Sequence, residues 1–285
     1  MNPKVWWLPL LVVLAGCSSS SNDGGPAAPA DTGTPTDDAA DSAVVEDTAP
    51  GIDTAPPSYA DAVLASVWKE LPKGPKVSGG AKNDDIFFTS PTRGFLVSGQ
   101  TAGIYETDDG GDTWKKIFSN PGTYFRSVLF ADADHGFASN LGVLEGSGIT
   151  DTNVMYETKN GGGTWAALPT TAITGPMPSG ICNQTKIDAT HLVAVGRVNG
   201  PAHFMSSSDA GATWTSMDLS DKLSMLIDAR FTSPTEGFVV GGSNETSLKC
   251  TILHTSDGGA TWSSVFTSKS RNSLCWKISF PSDKV

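Results

Sequence analysis

Hydrophobic residues in this chain of 285 residues come in short bursts, separated by clusters of Gly, Ser, Thr, Asp and Pro. A burst ending on an aromatic or aliphatic residue runs into a polar turn and restarts at Gly-Phe or His-Leu. The copies are FTSPTRGFLVSG (88–99), FADADHGFASN (130–140), KIDATHLVAVG (186–196, with a shorter turn) and FTSPTEGFVVGG (231–242). After a variable link comes a third burst, GIYET (103–107), NVMYET (153–158), AHFMSS (202–207) or TILHTS (251–256), and then a last one such as TWKKI (113–117). Short runs of this kind, bounded by turn formers and lacking helical periodicity, predict β-strands.

The third and last bursts are joined by the most regular feature of the chain. TDDGGDTW (107–114), TKNGGGTW (158–165), SSDAGATW (207–214) and TSDGGATW (255–262) share one frame: Ser or Thr, any, Asp or Asn, any, Gly, any, Thr, Trp. Trp114, Trp165, Trp214 and Trp262 are 51, 49 and 48 residues apart. A fixed period of this size means repeated supersecondary units. Four short strands per unit, repeated radially, predict an all-β fold, a β-propeller of four-stranded blades.

Each box reads as a turn that plants an aromatic anchor. Asp109, Asn160, Asp209 and Asp257 are placed to hold the turn through backbone hydrogen bonds. Gly111, Gly162, Gly211 and Gly259 take a left-handed backbone without strain. Thr107, Thr158, Ser207 and Thr255 open the boxes; Thr113, Thr164, Thr213 and Thr261 return the chain to the sheet, and the tryptophans bury against it. A catalytic role for the acid is disfavoured, because Asn160 cannot act as a carboxylate base and four copies spread around a ring cannot converge on one substrate.

The pattern resembles the Asp box, or bacterial neuraminidase repeat, of sialidases, sortilin-type receptors, some glycanases and the photosystem II stability and assembly factors. With its Gly-Phe strand and T-x-D-G-G-x-T-W box, the chain looks most like the last group over residues 62–285. That group also occurs in bacteria without photosynthesis. The resemblance implies a rigid face for a protein partner, which the photosystem factors line with arginines. Four residues back from the end of each first strand stand Asp84, Arg126, Asn183, Ile227 and Trp276. Only one is arginine, so the resemblance names no photosystem partner.

The ends of the chain carry separate signals. MNPK precedes the apolar VWWLPLLVVLAG, which is too short to span a bilayer, and LAGC (14–17) resembles the lipobox of bacterial lipoproteins. It implies a signal peptide over 1–16, cleavage before Cys17, lipidation of Cys17 and permanent anchoring by several acyl chains. Ser18 in place of Asp points to the outer membrane of a Gram-negative-type envelope. Residues 17–58 read as a disordered acidic tether: eight acids face no Lys or Arg, which with Lys4 leaves residues 59–285 at about −4 of the total −11. The folded part is thus only mildly acidic, and no basic patch points to nucleic acid.

Residues 59–285 are expected to form the propeller. VWKELP (67–72) reads as a lone fourth strand that completes the last blade, with a helix over ADAVLASVWKEL as the competing reading. FPSDKV (280–285) reads as the first strand of another repeat. The tally is about 4.6 blades, so the expectation is an open ring with raw edge strands, incomplete at its C-terminus and belonging to a ring of six to eight blades. Cys182, Cys250 and Cys275 allow one disulfide and leave at least one thiol, with the pairing open. No CxxC or Cys/His cluster predicts a metal, and no cofactor is expected.

Sialidase chemistry needs an arginine triad; the chain has Arg93, Arg126, Arg197, Arg230 and Arg271, without the usual Arg-Ile-Pro motif. Glycanase chemistry needs two placed carboxylates. Asp84, Asp85 and Asp228 are candidates, but nothing in the sequence pairs them. The expected function is a membrane-anchored envelope scaffold that binds an unidentified protein, not an enzyme; the alternative is a glycan-binding or sialidase-like propeller.

Overall fold

The computed structural model describes residues 73–77 and 82–280. The signal peptide, Cys17, the tether, residues 67–72 and residues 281–285 lie outside the described residues. The described residues form three antiparallel sheets of four strands and a fourth sheet of four antiparallel strands with a short parallel strand added at its edge, and no α-helix. Blade 1 is β1 (Asp85–Phe88), β2 (Gly94–Ser98), β3 (Gly103–Thr107) and β4 (Lys115–Ser119). Blade 2 is β5 (Phe125–Phe130), β6 (Gly136–Asn140), β7 (Met155–Thr158) and the short β8 (Ala166–Ala167). A two-residue strand, β9 (Ile173–Thr174), then leads into blade 3: β10 (Asn183–Lys186), β11 (Leu192–Gly196), β12 (His203–Ser207) and β13 (Trp214–Asp218). Blade 4 is β14 (Leu223–Phe231), β15 (Gly237–Ser243), β16 (Cys250–Thr255) and β17 (Ser263–Thr267). The first strands β1, β5, β10 and β14 are neighbours, as the inner strands of successive propeller blades are.

Burial explains which strand goes where. The second strands GFLVS, GFASN and LVAVG are buried along their whole length, each paired with a strand on either side. The fourth strands KKIFS and SSVFT are mostly or wholly exposed. The apolar core is therefore divided among three seams. Phe95 and Ile104 of blade 1 meet Phe125, Phe130 and Trp165 of blade 2. Phe137 and Met155 of blade 2 meet Leu192, Met205 and Trp214 of blade 3. Val193 and Phe204 of blade 3 meet Phe231, Val239 and Trp262 of blade 4.

The turn after each first strand has a repeated chemistry. Ser90 Oγ accepts from Arg93 N (2.9 Å), Asp132 Oδ1 from His135 N (2.7 Å), Asp188 Oδ1 from His191 N (2.8 Å) and Ser233 Oγ from Glu236 N (3.0 Å). A short polar side chain bonding the backbone just ahead fixes the tight reversal.

One expectation needs correction. The last strand of blade 1 does not begin at Thr113 but at Lys115, because Thr113 and Trp114 are held in the turn. The outer edge of blade 3 carries an added strand: β9 pairs with β13 in parallel, Trp214 opposite Ile173 and Thr215 opposite Thr174. Covering an edge in this way removes a template for unwanted pairing.

Candidate functional site

The four boxes share one geometry. In the first, Thr107 Oγ1 donates to Asp109 Oδ1 (2.8 Å) and accepts from Gly111 N (2.9 Å), while Asp109 Oδ1 also accepts from Thr113 N (2.8 Å). The third and fourth boxes repeat this with Ser207, Asp209, Gly211 and Thr213, and with Thr255, Asp257, Gly259 and Thr261. In the second, Asn160 Oδ1 alone accepts from Thr158 Oγ1 (3.1 Å), Thr164 N (2.9 Å) and Thr164 Oγ1 (3.3 Å), and Gly162 N donates to Thr158 Oγ1 (2.8 Å). One amide oxygen thus does what two carboxylate oxygens do elsewhere. Trp114, Trp214 and Trp262 donate from Nε1 to the carbonyl of their own box glycine at 2.9, 3.1 and 3.0 Å. Trp165 is buried like Trp262, but its Nε1 has no partner among the described residues.

The box glycines have φ of 101° (Gly111), 89° (Gly162), 90° (Gly211) and 94° (Gly259). The residue before each is also left-handed, including Ala210 at φ 57°. An L-residue there is strained by roughly 1–2 kcal/mol. Ala210→Gly is expected to stabilise the domain by about 0.5–1 kcal/mol, less than the full strain because glycine gains freedom in the unfolded chain. Urea denaturation of the single variant checks this.

The box acids also set a pH dependence. Hydrogen bonds from the Thr113 side chain and backbone hold Asp109 down at about 2, from an ordinary 3.8. Thr261 does the same for Asp257, also at about 2. At Asp209 partial burial pulls upward, and the Thr213 and Ser207 bonds outweigh it. A folded-state pKa below the unfolded one contributes stability above the unfolded value, lost as pH falls through the folded value. The contribution is therefore complete above about pH 4 and fades toward 2. An NMR titration should show the Thr113 and Thr261 amides shifting near pH 2 and the Thr164 amide, bonded to Asn160, staying put.

All four boxes sit at one end of the blades. The first left-handed residue of each donates to the carbonyl of the neighbouring first-hairpin turn: Gly110 N to Thr92 O, Gly161 N to Asp134 O, Ala210 N to Thr190 O and Gly258 N to Thr235 O. The structure therefore keeps the boxes apart, one per blade, at the end opposite the starts of the inner strands.

At that other end a cavity forms. Segment 274–280 carries no strand pairing but lies where a fifth inner strand belongs. Asp228 Oδ2 accepts from Ile278 N at 2.9 Å, as Asp85 Oδ2 accepts from Val128 N at 3.0 Å. Phe280 then packs on Phe238 (5.5 Å between centroids) as Phe130 packs on Phe95 (4.2 Å). The five segments line a channel with adjoining compartments of about 400 and 410 Å³, which share Asp85, Asn183, Asp228 and Lys277.

Asp84, Arg126, Asn183, Ile227 and Trp276, the positions found by counting back along each first strand, all line the outer compartment. The Asp84 side chain is wholly buried; its Oδ1 lies 3.1 Å from Lys82 Nζ and 3.2 Å from Arg126 Nη1, and its Oδ2 accepts from Gly99 N at 2.9 Å. Asp228, also buried, accepts from Asn183 Nδ2 and faces Lys277 Nζ at 3.5 Å. Burial pushes Asp85 upward, against the Val128 N–H bond and the charges of Lys277 and Arg126. Trp276 is 49 % exposed, which leaves a large indole face at the rim.

The structure thus brings together three carboxylates that the sequence did not pair. The signal was available: one position further along each first strand stand Asp85, Ser127, Gln184, Asp228 and Lys277, so two of the acids occupy equivalent places. Cys182 lies in the floor, its thiol raised by burial and held protonated. Cys250 and Cys275 form a disulfide. Among the described residues no group of three His, Cys, Asp or Glu side chains is placed to hold a metal ion.

The neighbours among solved structures are propellers. A YCF48 bound to a D1 peptide is similar at 17% identity and a TM-score of 0.36, over 71% of this chain and 88% of that one. The YCF48 from Cyanidioschyzon merolae is similar at 16% identity and 0.32, over 75% and 93%. The GH74 xyloglucanase from Xanthomonas campestris is similar at 16% identity and 0.45, over 61% of this chain but 28% of that one. The chain thus spans most of the YCF48 chains and about a quarter of the GH74 enzymes. No family model and no curated protein matches the sequence.

Proposed function

We propose that the chain is an envelope lipoprotein, anchored through Cys17, whose propeller is a protein-binding or assembly scaffold. The partner docks on the end where the inner strands begin. One observation carries this reading: five equivalent positions on five inner segments converge on one cavity, with the Trp276 indole exposed at its rim. A half-exposed aromatic beside fixed polar groups is the usual composition of an interface anchor. The YCF48 solved with a D1 peptide is a similar chain with a peptide partner.

The test is a photo-crosslinking residue at Lys277, which is mostly exposed, in cells carrying the full chain. It should trap one discrete polypeptide, whereas the same residue at Ser263, at the box end of blade 4, should not. Trp276→Ala should lower the yield about tenfold, the effect of losing one interface anchor, with an unchanged melting transition. Equal trapping at both ends would overturn the docking face. For the anchor, mass spectrometry should find acylated Cys17 at the mature N-terminus, and Cys17→Ala should leave the membrane fraction.

A second reading has one observation in its favour: Asp84, Asp85 and Asp228 meet in one cavity. A glycan-directed propeller would bind oligosaccharides there, and an Asp228→Asn variant would lose that binding or hydrolysis while the crosslink persisted.

A further inference from the structure

The wall of the cavity that carries Trp276 differs from the other four. β1, β5, β10 and β14 are each hydrogen-bonded along their length to a second strand. Among the described residues, segment 274–280 has no such partner. Its backbone is held by a few bonds: Cys275 N to Gly241 O at 3.4 Å and Ile278 N to the Asp228 carboxylate at 2.9 Å. Leu274 and Phe280 add side-chain packing at its two ends. Lys277 Nζ adds an ion pair to Asp228 at 3.5 Å, from a side chain that is mostly exposed, and the remaining tie is covalent, a disulfide from Cys275 to Cys250 at the start of β16. Cys275 immediately precedes Trp276 and Lys277, the two residues that this segment contributes to the outer compartment. Both half-cystines are half-buried, so a small thiol can reach them, whereas Cys182 is buried.

We propose that the Cys250–Cys275 disulfide is a redox latch that holds the Trp276 wall of the cavity in place, and that reduction by an external dithiol releases segment 274–280 while the four blades stay folded. The exchange balances as one disulfide and one dithiol giving two protein thiols and one cyclic disulfide of the reductant, through a mixed disulfide. The blades do not depend on the bond, because each keeps its own backbone ladder and its seams. The segment does, because the crosslink closes a loop across a sequence separation of 25 residues and, among the described residues, only a few hydrogen bonds and one ion pair hold it besides. Losing a loop constraint of that length weakens local protection on the order of a hundredfold. The inference rests on the proposed docking face only for its biological consequence, since release of Trp276 would dismantle that face.

Hydrogen exchange of the full chain, with and without dithiothreitol, tests it. Maleimide labelling should count two new reactive thiols after reduction, with Cys182 protected. The peptide covering 274–280 should exchange on the order of a hundred times faster, and peptides from blades 1 to 3 should be unchanged. The Cys250→Ser/Cys275→Ser double variant should behave as the reduced protein without any reductant. Unchanged protection of 274–280 in both would overturn the latch. So would faster exchange throughout the blades, which would make the bond a global staple. Partner crosslinking is read separately: a released segment with undiminished crosslinking would leave the latch standing and move the docking face elsewhere.

Discussion

Trp214→Ala is expected to destabilise the folded domain by about 4–5 kcal/mol, the upper part of the range for a buried tryptophan. The same substitution at Trp114 should cost about 2 kcal/mol, since less apolar surface is lost. The two residues hold the same place in their boxes and make the same Nε1 bond to the box glycine. They differ in what covers them. Trp214 is 1 % exposed in the seam between blades 2 and 3, edge-on to Phe137 at 5.6 Å. Trp114 is half-buried, with Phe88 of its own blade at 6.3 Å. Trp262 and Trp165, both nearly buried, should fall between them. Urea denaturation of the four variants gives the order. Four equal costs would mean that the tryptophan stabilises its own turn rather than the seam.

The second large effect is at the box glycine. Gly211→Ala is expected to cost about 3–4 kcal/mol, combining left-handed strain with overpacking. The backbone has φ 90°, and a Cβ there would stand 2.2 Å from Phe137 Cζ of the preceding blade. Gly259 is in the same position against Phe204 Cε1, at 2.3 Å, and Gly162 against Phe95 Cε1, at 2.6 Å. The clash and the strain separate in a double-mutant cycle with Phe137→Ala. If the ring is half of the problem, Gly211→Ala should cost at least about 1 kcal/mol less in the Phe137→Ala background. Strict additivity would leave backbone strain as the whole effect.

Much of this was legible because the punctuation of the repeat is chemical. A Ser or Asp after the first strand, Gly-Phe at the second and the box before the fourth each specify a backbone conformation directly. The five mouth positions followed from counting within the repeat, since equivalent residues of equivalent strands meet around one axis. What failed depends on contacts across seams. Blade 3 has Val193 where blades 1 and 2 have Phe95 and Phe137, and the missing ring comes instead from Phe204 on the third strand. A one-dimensional reading sees the vacancy but not its replacement. The convergence of Asp84, Asp85 and Asp228 on one cavity joins the first inner strand to the fourth, and no local pattern spans that distance. The choice of Cys250 as the partner of Cys275 depends on where the chain turns after β17. Ala210 looks like an ordinary substitution of glycine until its φ is known.

The glycine-on-ring contact has a consequence for how such a chain can change length. Each interior blade offers a ring to the blade that follows and a bare glycine to the blade before, so one ring and one glycine travel within each unit. A segment copied or excised from one box tryptophan to the next would therefore leave rings and glycines equal in number, with one new joint made from the halves of two old ones. The array can then grow or shrink by whole modules through duplication or loss, with no compensating substitution elsewhere, whereas a change of half a module would strand a ring without its glycine.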